Sequence, residues 1–137
     1  MTVLAWGTFD ILHLGHIRFL EEARNQGDKL VVLLSRDSVV KKIKGELPLH
    51  DENERLAMVK ALRCVDEAYL DREEGDYKLL EKIKPDIICL GYDQTAFTDK
   101  LPEMLQKFGI KTEIRRSQAT SPEKYKSSKL KEQLMRH

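Results

Sequence analysis

The run Gly7-Thr8-Phe9-Asp10-Ile11-Leu12-His13-Leu14-Gly15-His16 places two imidazoles three positions apart with a glycine between them. It follows the apolar Thr2-Val3-Leu4-Ala5-Trp6 and leads into a stretch of helical periodicity, so both histidines sit where a first strand hands over to a first helix. In an α/β sheet that junction binds phosphates, because free helix N–H groups point at the ligand. Gly7 lets the chain turn sharply, Thr8 offers a hydroxyl and an N–H, and Gly15 keeps the helix start clear for a phosphate. His13 and His16 can both donate to a triphosphate, and donors placed where charge accumulates lower the barrier to phosphoryl or nucleotidyl transfer. A lone histidine here reads as a cap or a satisfied core residue. Two at this spacing, with both glycines, read as a nucleotide site.

Three further segments bear on the same chemistry. Lys41, Lys42 and Lys44 lie just after the second apolar run and are followed by Glu54-Arg55. The lysines are either a solvated face or a means of neutralising substrate phosphates. Arg55 is either an assistant in phosphate positioning or an exposed helix residue paired with Asp51. Leu90-Gly91-Tyr92-Asp93-Gln94 ends an apolar run, and Asp93 can accept from ribose hydroxyls, hold a divalent ion or simply cap a turn. Lys126-Ser127-Ser128-Lys129 opens a last amphipathic piece, where the serines cap a helix or form a second phosphate cradle.

The elements that position these residues follow from the apolar pattern. Strands are expected at Val3–Trp6, Lys29–Ser35, Glu67–Leu70, Asp86–Gly91 and Lys111–Arg115. Helices are expected at about Gly15–Gln26, Glu52–Leu62, Tyr77–Ile83, Leu101–Phe108 and Ser127–Met135. Unbroken runs such as Leu30-Val31-Val32-Leu33-Leu34 suit parallel strands covered on both faces. The alternation implies an α/β fold with a doubly wound parallel five-stranded sheet, spanning residues 1–137 as one domain. The longest loops, Ser38–Asp51 and Arg116–Lys126, should project beside the histidine junction.

Composition narrows the class. With 137 residues, 41% apolar and 34% charged, the chain has the make-up of a globular domain rather than a disordered one. A formal net charge of +1 gives no sign of nucleic-acid or anionic-membrane binding. Cys64 and Cys89 lack CxxC spacing and are expected as reduced core residues of a cytoplasmic protein. The absence of a signal segment or long apolar run leads to the same expectation.

Gly-Thr-Phe-Asp-x-x-His-x-Gly-His resembles the signature of the cytidylyltransferase-like nucleotidyltransferases, and the similarity runs over essentially the whole chain. The resemblance implies a Rossmann-like (HUP-type) sheet and transfer of a nucleotidyl group from an NTP to a phosphorylated acceptor, with release of pyrophosphate. It gives His13 and His16 the stabilisation of the transition state at the α-phosphate, and singles out Lys44 and Arg55 as their catalytic partners. Leu-Gly-Tyr-Asp-Gln and Arg36-Asp37-x-x-Val40-Lys41-Lys42-x-Lys44-Gly45 are similar to the archaeal FAD synthases in particular. That resemblance implies ATP and FMN as substrates, Mg²⁺ bridging the phosphates, and a homodimer. Thr8, Phe9, His13, Gly15, His16, Asp93, Thr120, Ser127 and Ser128 would then bind the nucleotide, and Asp10 and Lys41 the acceptor. Phe97 and Tyr125 are either stacking partners for a flavin ring or plain packing.

The chain departs from glycerol-3-phosphate cytidylyltransferases, which carry a compact Arg-Thr-x-Gly-Ile-Ser-Thr-Thr where this chain has a longer loop. It also lacks the cysteines that several archaeal FAD synthases carry just before the serines. The competing readings are therefore glycerol-3-phosphate cytidylyltransferase, a sugar-phosphate adenylyltransferase of the lipopolysaccharide heptose type, and, in a different class, a nucleotide-binding regulator without turnover.

Overall fold

The computed structural model describes residues 1–72, 78–90 and 101–116. The order of elements is β1 (Thr2–Gly7), α1 (Leu14–Arg24), β2 (Lys29–Leu34), α2 (Asp37–Lys44), α3 (Glu52–Lys60), β3 (Glu67–Leu70), α4 (Lys78–Ile83), β4 (Ile87–Leu90), α5 (Leu101–Lys107) and β5 (Glu113–Arg116). The five strands form one parallel sheet in the order β3-β2-β1-β4-β5. The chain winds outward from β1 through β2 to β3, then returns to the other side of β1 with β4. The reversal falls between β1 and β4, and the loop leaving β1 lies at the carboxyl end of that crevice, where open α/β sheets bind ligands.

Strand side chains alternate between two cores, as the pleat requires. Val3, Ala5, Leu30, Val32, Leu34, Ile87 and Cys89 pack on one face with Leu20 and Ala23 of α1 and Val59 of α3. Leu4, Trp6, Val31, Leu33, Ile88 and Leu90 pack on the other with Leu80 of α4 and Leu101 and Leu105 of α5. Burial on both faces accounts for the continuous apolar runs, and confirms the doubly wound α/β sheet expected from the sequence.

One expectation is overturned. Residues 37–44, expected largely as the loop Ser38–Asp51, form helix α2. Val39 and Val40 are buried. Asp37 stands in the first turn and three lysines stand in the last, which suits the helix dipole. Gly45, at φ 83°, ends the helix by donating its N–H to the Lys41 carbonyl at 2.8 Å. The lysine run that read as a polar loop is thus the charged C-terminal turn of a short helix. The expected helix Ser127–Met135 and the loop beyond Arg116 lie outside the described residues.

Candidate active site

The loop leaving β1 is built tightly. Phe9 is buried with φ 52°, a left-handed backbone that side-chain-bearing residues rarely adopt. Its ring lies over Gly7, where an added Cβ would meet Phe9 Cε2 at 2.9 Å, so only glycine leaves the ring its place. The same ring meets His16 edge-on, with centroids 5.4 Å apart. Strain of this kind costs about 1–3 kcal/mol and persists where the surroundings over-determine the conformation, commonly at active sites.

His13 is the N-cap of α1, and its Nδ1 accepts the His16 N–H at 3.4 Å. In the neutral ring this leaves the proton on Nε2, so His13 presents a donor away from the helix. The two imidazoles stack, with centroids 3.8 Å apart and planes at 22°. Burial, the neighbouring His13 and the Lys44 charge push His16 down to about 4, against the Ile11 carbonyl and the Asp10 carboxylate, which favour the proton. Burial also lowers His13. The pair is therefore neutral at pH 7. Nδ1 of His16 is buried without a hydrogen bond of ordinary geometry among the described residues. The first turn of α1, which includes Gly15, holds no carboxylate to compete for an anion at the helix N-terminus.

Lys41 and Lys44 are exposed on the last turn of α2. Arg55 ties the start of this helix, through Asp37, to the Thr8 carbonyl in the loop before His13. The structure thus brings Thr8, Phe9, His13, Gly15 and His16 together in the turn from β1 to α1. Asp93, Phe97, Thr120, Tyr125, Ser127 and Ser128 lie outside the described residues.

Two charged residues are engaged inside the fold. Arg55 is not the exposed helix residue of the alternative reading. It is fully buried: Nη1 donates to the Thr8 carbonyl at 2.7 Å, Nε to the His50 carbonyl at 3.1 Å and Nη2 to Asp37 Oδ1 at 2.7 Å. Its partner is Asp37 and not Asp51. Asp10 is also buried, and its carboxylate accepts the Leu49 and His50 amides at 3.0 and 3.1 Å. Both residues fasten the segment between α2 and α3 to the loop between β1 and α1.

Sequence reasoning missed Asp37, Arg36 and Glu52, which complete this fastening. Glu52 accepts from the Asp37 N–H and from Arg36, while Asp37 Oδ2 accepts the Glu52 N–H, so α2 and α3 cap each other's first turns. The Asp37–Arg55 pair spans 18 positions, too far for any local pattern to show. Among the described residues no group of three or more His, Cys, Asp or Glu could hold a metal ion.

A doubly wound parallel sheet whose switch point carries paired neutral imidazoles and a carboxylate-free helix N-terminus defines an α/β nucleotide-handling domain. The chain belongs to the cytidylyltransferase-like family, whose profile matches residues 4–133. It is 51% identical over 117 residues to a FAD synthase of Ferroglobus placidus, covering 85% of this chain and 76% of that protein. It is 42% identical over 133 residues to a FAD synthase of Thermoplasma volcanium, covering 97% and 93%. The solved structure of a lipopolysaccharide core biosynthesis protein from Thermoplasma volcanium is 44% identical, with TM-score 0.81 over 88% of this chain and 98% of that one. A pantoate-beta-alanine ligase of Francisella tularensis shares the fold at 14% identity, with TM-score 0.60 over 95% of this chain and 67% of that one.

Proposed function

We propose that this chain is an FMN adenylyltransferase, which transfers AMP from ATP to FMN and releases FAD and pyrophosphate. The observation that carries the reading is the stacked, neutral His13–His16 pair capping α1 at the sheet's switch point. FAD synthases similar over most of the chain support the choice of acceptor. An oxygen of the FMN phosphate attacks the α-phosphorus of ATP, and the bond from that phosphorus to the bridging oxygen of the β-phosphate breaks. Pyrophosphate carries the electron pair away.

No covalent enzyme intermediate is needed, so the residues act by positioning and by stabilising charge. In this reading His13 and His16 donate to the α-phosphate and the leaving pyrophosphate, while Thr8, Phe9 and Gly15 shape the triphosphate cradle. Lys44 and Lys41 neutralise the incoming FMN phosphate. Asp93, Thr120, Ser127 and Ser128 complete the nucleotide site. Arg55 and Asp10 serve by holding Thr8 and the segment before α3 in place. A divalent cation, Mg²⁺ in this proposal, would neutralise the phosphates. The imidazole and lysine groups near the cradle suit an ion held mainly by the triphosphate and water. A homodimer and a cytoplasmic location complete the proposal. No helix among the described residues is long and apolar enough to cross a membrane.

Similarity to the Thermoplasma volcanium lipopolysaccharide core biosynthesis protein favours a second reading, adenylyl transfer to a sugar phosphate. A matrix of ATP and CTP against FMN, glycerol 3-phosphate and a heptose phosphate, read by product mass, separates these readings. FAD is the expected product. An ADP-sugar or CDP-glycerol without FAD overturns the proposal, and absence of pyrophosphate with every acceptor leaves a nucleotide-binding regulator. His16→Ala should cost orders of magnitude in kcat with ATP binding retained. Activity that survives this change removes the role given to His16.

A further inference from the structure

An open cavity of about 620 Å³ runs along one flank of α1. The buried Ala23 and Cys89 and the half-buried Phe19 line it, together with the exposed Glu22, Arg115 and Arg116. It therefore lies between α1 and the strands β4 and β5, on the Leu20 face of the sheet. Arg115 Nη1 donates to Gln26 Oε1 at 2.8 Å, which ties β5 to the chain just past α1. Among the described residues, the helices that contribute to this face are α1, against β1 and β2, and α3, against β2 and β3. A parallel sheet is stable with both faces covered, and on this face β4 and β5 have no described helix of their own.

We propose that the occupant of this cavity is the chain's own segment Ser127–Met135, seated beside α1. Its starting point supports the assignment. Arg116, the last described residue of β5, itself lines the cavity, and residues 117–126 can reach at most about 35 Å, enough to turn back over β5. The other stretches outside the description, 73–77 and 91–100, lead into α4 and α5, whose Leu80, Leu101 and Leu105 are committed to the opposite face. The pattern of the segment fits as well. At helical spacing Leu130 and Leu134 share one face, while Glu132 and Arg136 share the other. The leucines suit Phe19, Ala23 and Cys89, and the flanking Lys129 and Lys131 suit the Glu22 carboxylate. A helix over 127–135 would be about 14 Å long, a little shorter than α1. Seating it covers β4 and β5 and removes from water apolar surface that neither part covers alone. The proposal is independent of which acceptor the enzyme uses.

The test is a double-mutant cycle on the full chain, read by urea unfolding. Phe19→Ala and Leu134→Ala should each lower the midpoint, and the loss in the double variant should fall short of the two losses summed. The shortfall should amount to about twofold or more in the unfolding constant, as for side chains in contact. Leu62 lines a second cavity on the other flank of α1. Leu62→Ala should therefore add to Leu134→Ala without a shortfall, and Glu132→Ala should add to Phe19→Ala in the same way. If Phe19→Ala does not fold, Phe19→Leu takes its place in the cycle. Strict additivity at positions 19 and 134 overturns the proposal, and so does coupling of Leu134 to Leu62 in its place. Sedimenting mass should be the same for wild type and for Leu130→Asn with Leu134→Asn. Coupling at 19 and 134 accompanied by a halved mass in that variant gives the cavity to a second copy of the chain, and overturns the proposal too.

Discussion

Replacing Arg55 by lysine keeps the positive charge and removes the planar fork of donors. Three acceptors depend on that fork: the Thr8 and His50 carbonyls and the Asp37 carboxylate. A lysine ammonium on a shorter reach can satisfy one of them, and two lose their donor. Hydrogen bonds to charged groups contribute about 1.5–3 kcal/mol each. The Asp37 side chain is one-quarter exposed and can recruit water in place of the guanidinium, which sets the expectation near the lower end, about 3 kcal/mol in all. Against a domain stability of about 5–15 kcal/mol this is severe, though not abolishing. It corresponds to a fall of roughly 10 °C in melting temperature, measurable by thermal and urea unfolding. Kinetically, release of the Thr8 carbonyl should raise KM for ATP and lower kcat, with residual turnover remaining below the new Tm. A variant that melts within about 1 °C of wild type yet loses activity by orders of magnitude would refute the reasoning, because it would put the guanidinium on the substrate.

Other perturbations separate structure from chemistry at the histidine pair. His13→Ala should cost about 1 kcal/mol through loss of the N-cap, whereas His13→Asn, a good N-cap, should recover that stability and leave kcat low; recovery of kcat with the cap would deny the imidazole its role. The His16 pKa of about 4 in the fold lies below the ordinary 6.5, so the unfolded chain takes up the proton first. Stability tied to His16 is intact above pH 6.5 and lost as pH falls towards 4, by about 3 kcal/mol. Urea titrations of wild type and His16→Asn across that range should show the difference, and parallel curves would contradict it. Gly7→Ala sets a methyl 2.9 Å from the Phe9 ring. It should destabilise the protein by about 1–3 kcal/mol and raise KM for ATP, checked by unfolding and kinetics together.

The sheet was legible because a strand buried on both faces writes an unbroken apolar run, as at Leu30–Leu34 and Ile87–Leu90. The histidine motif was legible because its members are neighbours in sequence. Helix α2 was hidden because only Val39 and Val40 are buried on it while its last turn is all exposed lysine and isoleucine, a composition shared with loops. The place of Arg55 was illegible for another reason. Whether an arginine faces a phosphate or a carbonyl depends on partners 18 and 47 positions away, and neither leaves a periodic trace. The internal partners of Asp10 were illegible in the same way: its oxygens accept the amides of Leu49 and His50, which lie 39 and 40 positions away.

The double fastening of the segment between α2 and α3 bears on how this domain can change. One end is closed by Gly45 on the Lys41 carbonyl, and the other is pinned by Asp10 on the Leu49 and His50 amides. Side chains at 46, 47 and 49 hang from a backbone whose ends do not depend on what they are. A lineage can therefore rewrite those three side chains without loosening either end of the segment, with the histidine turn inherited intact, and an engineer can do the same by cassette exchange.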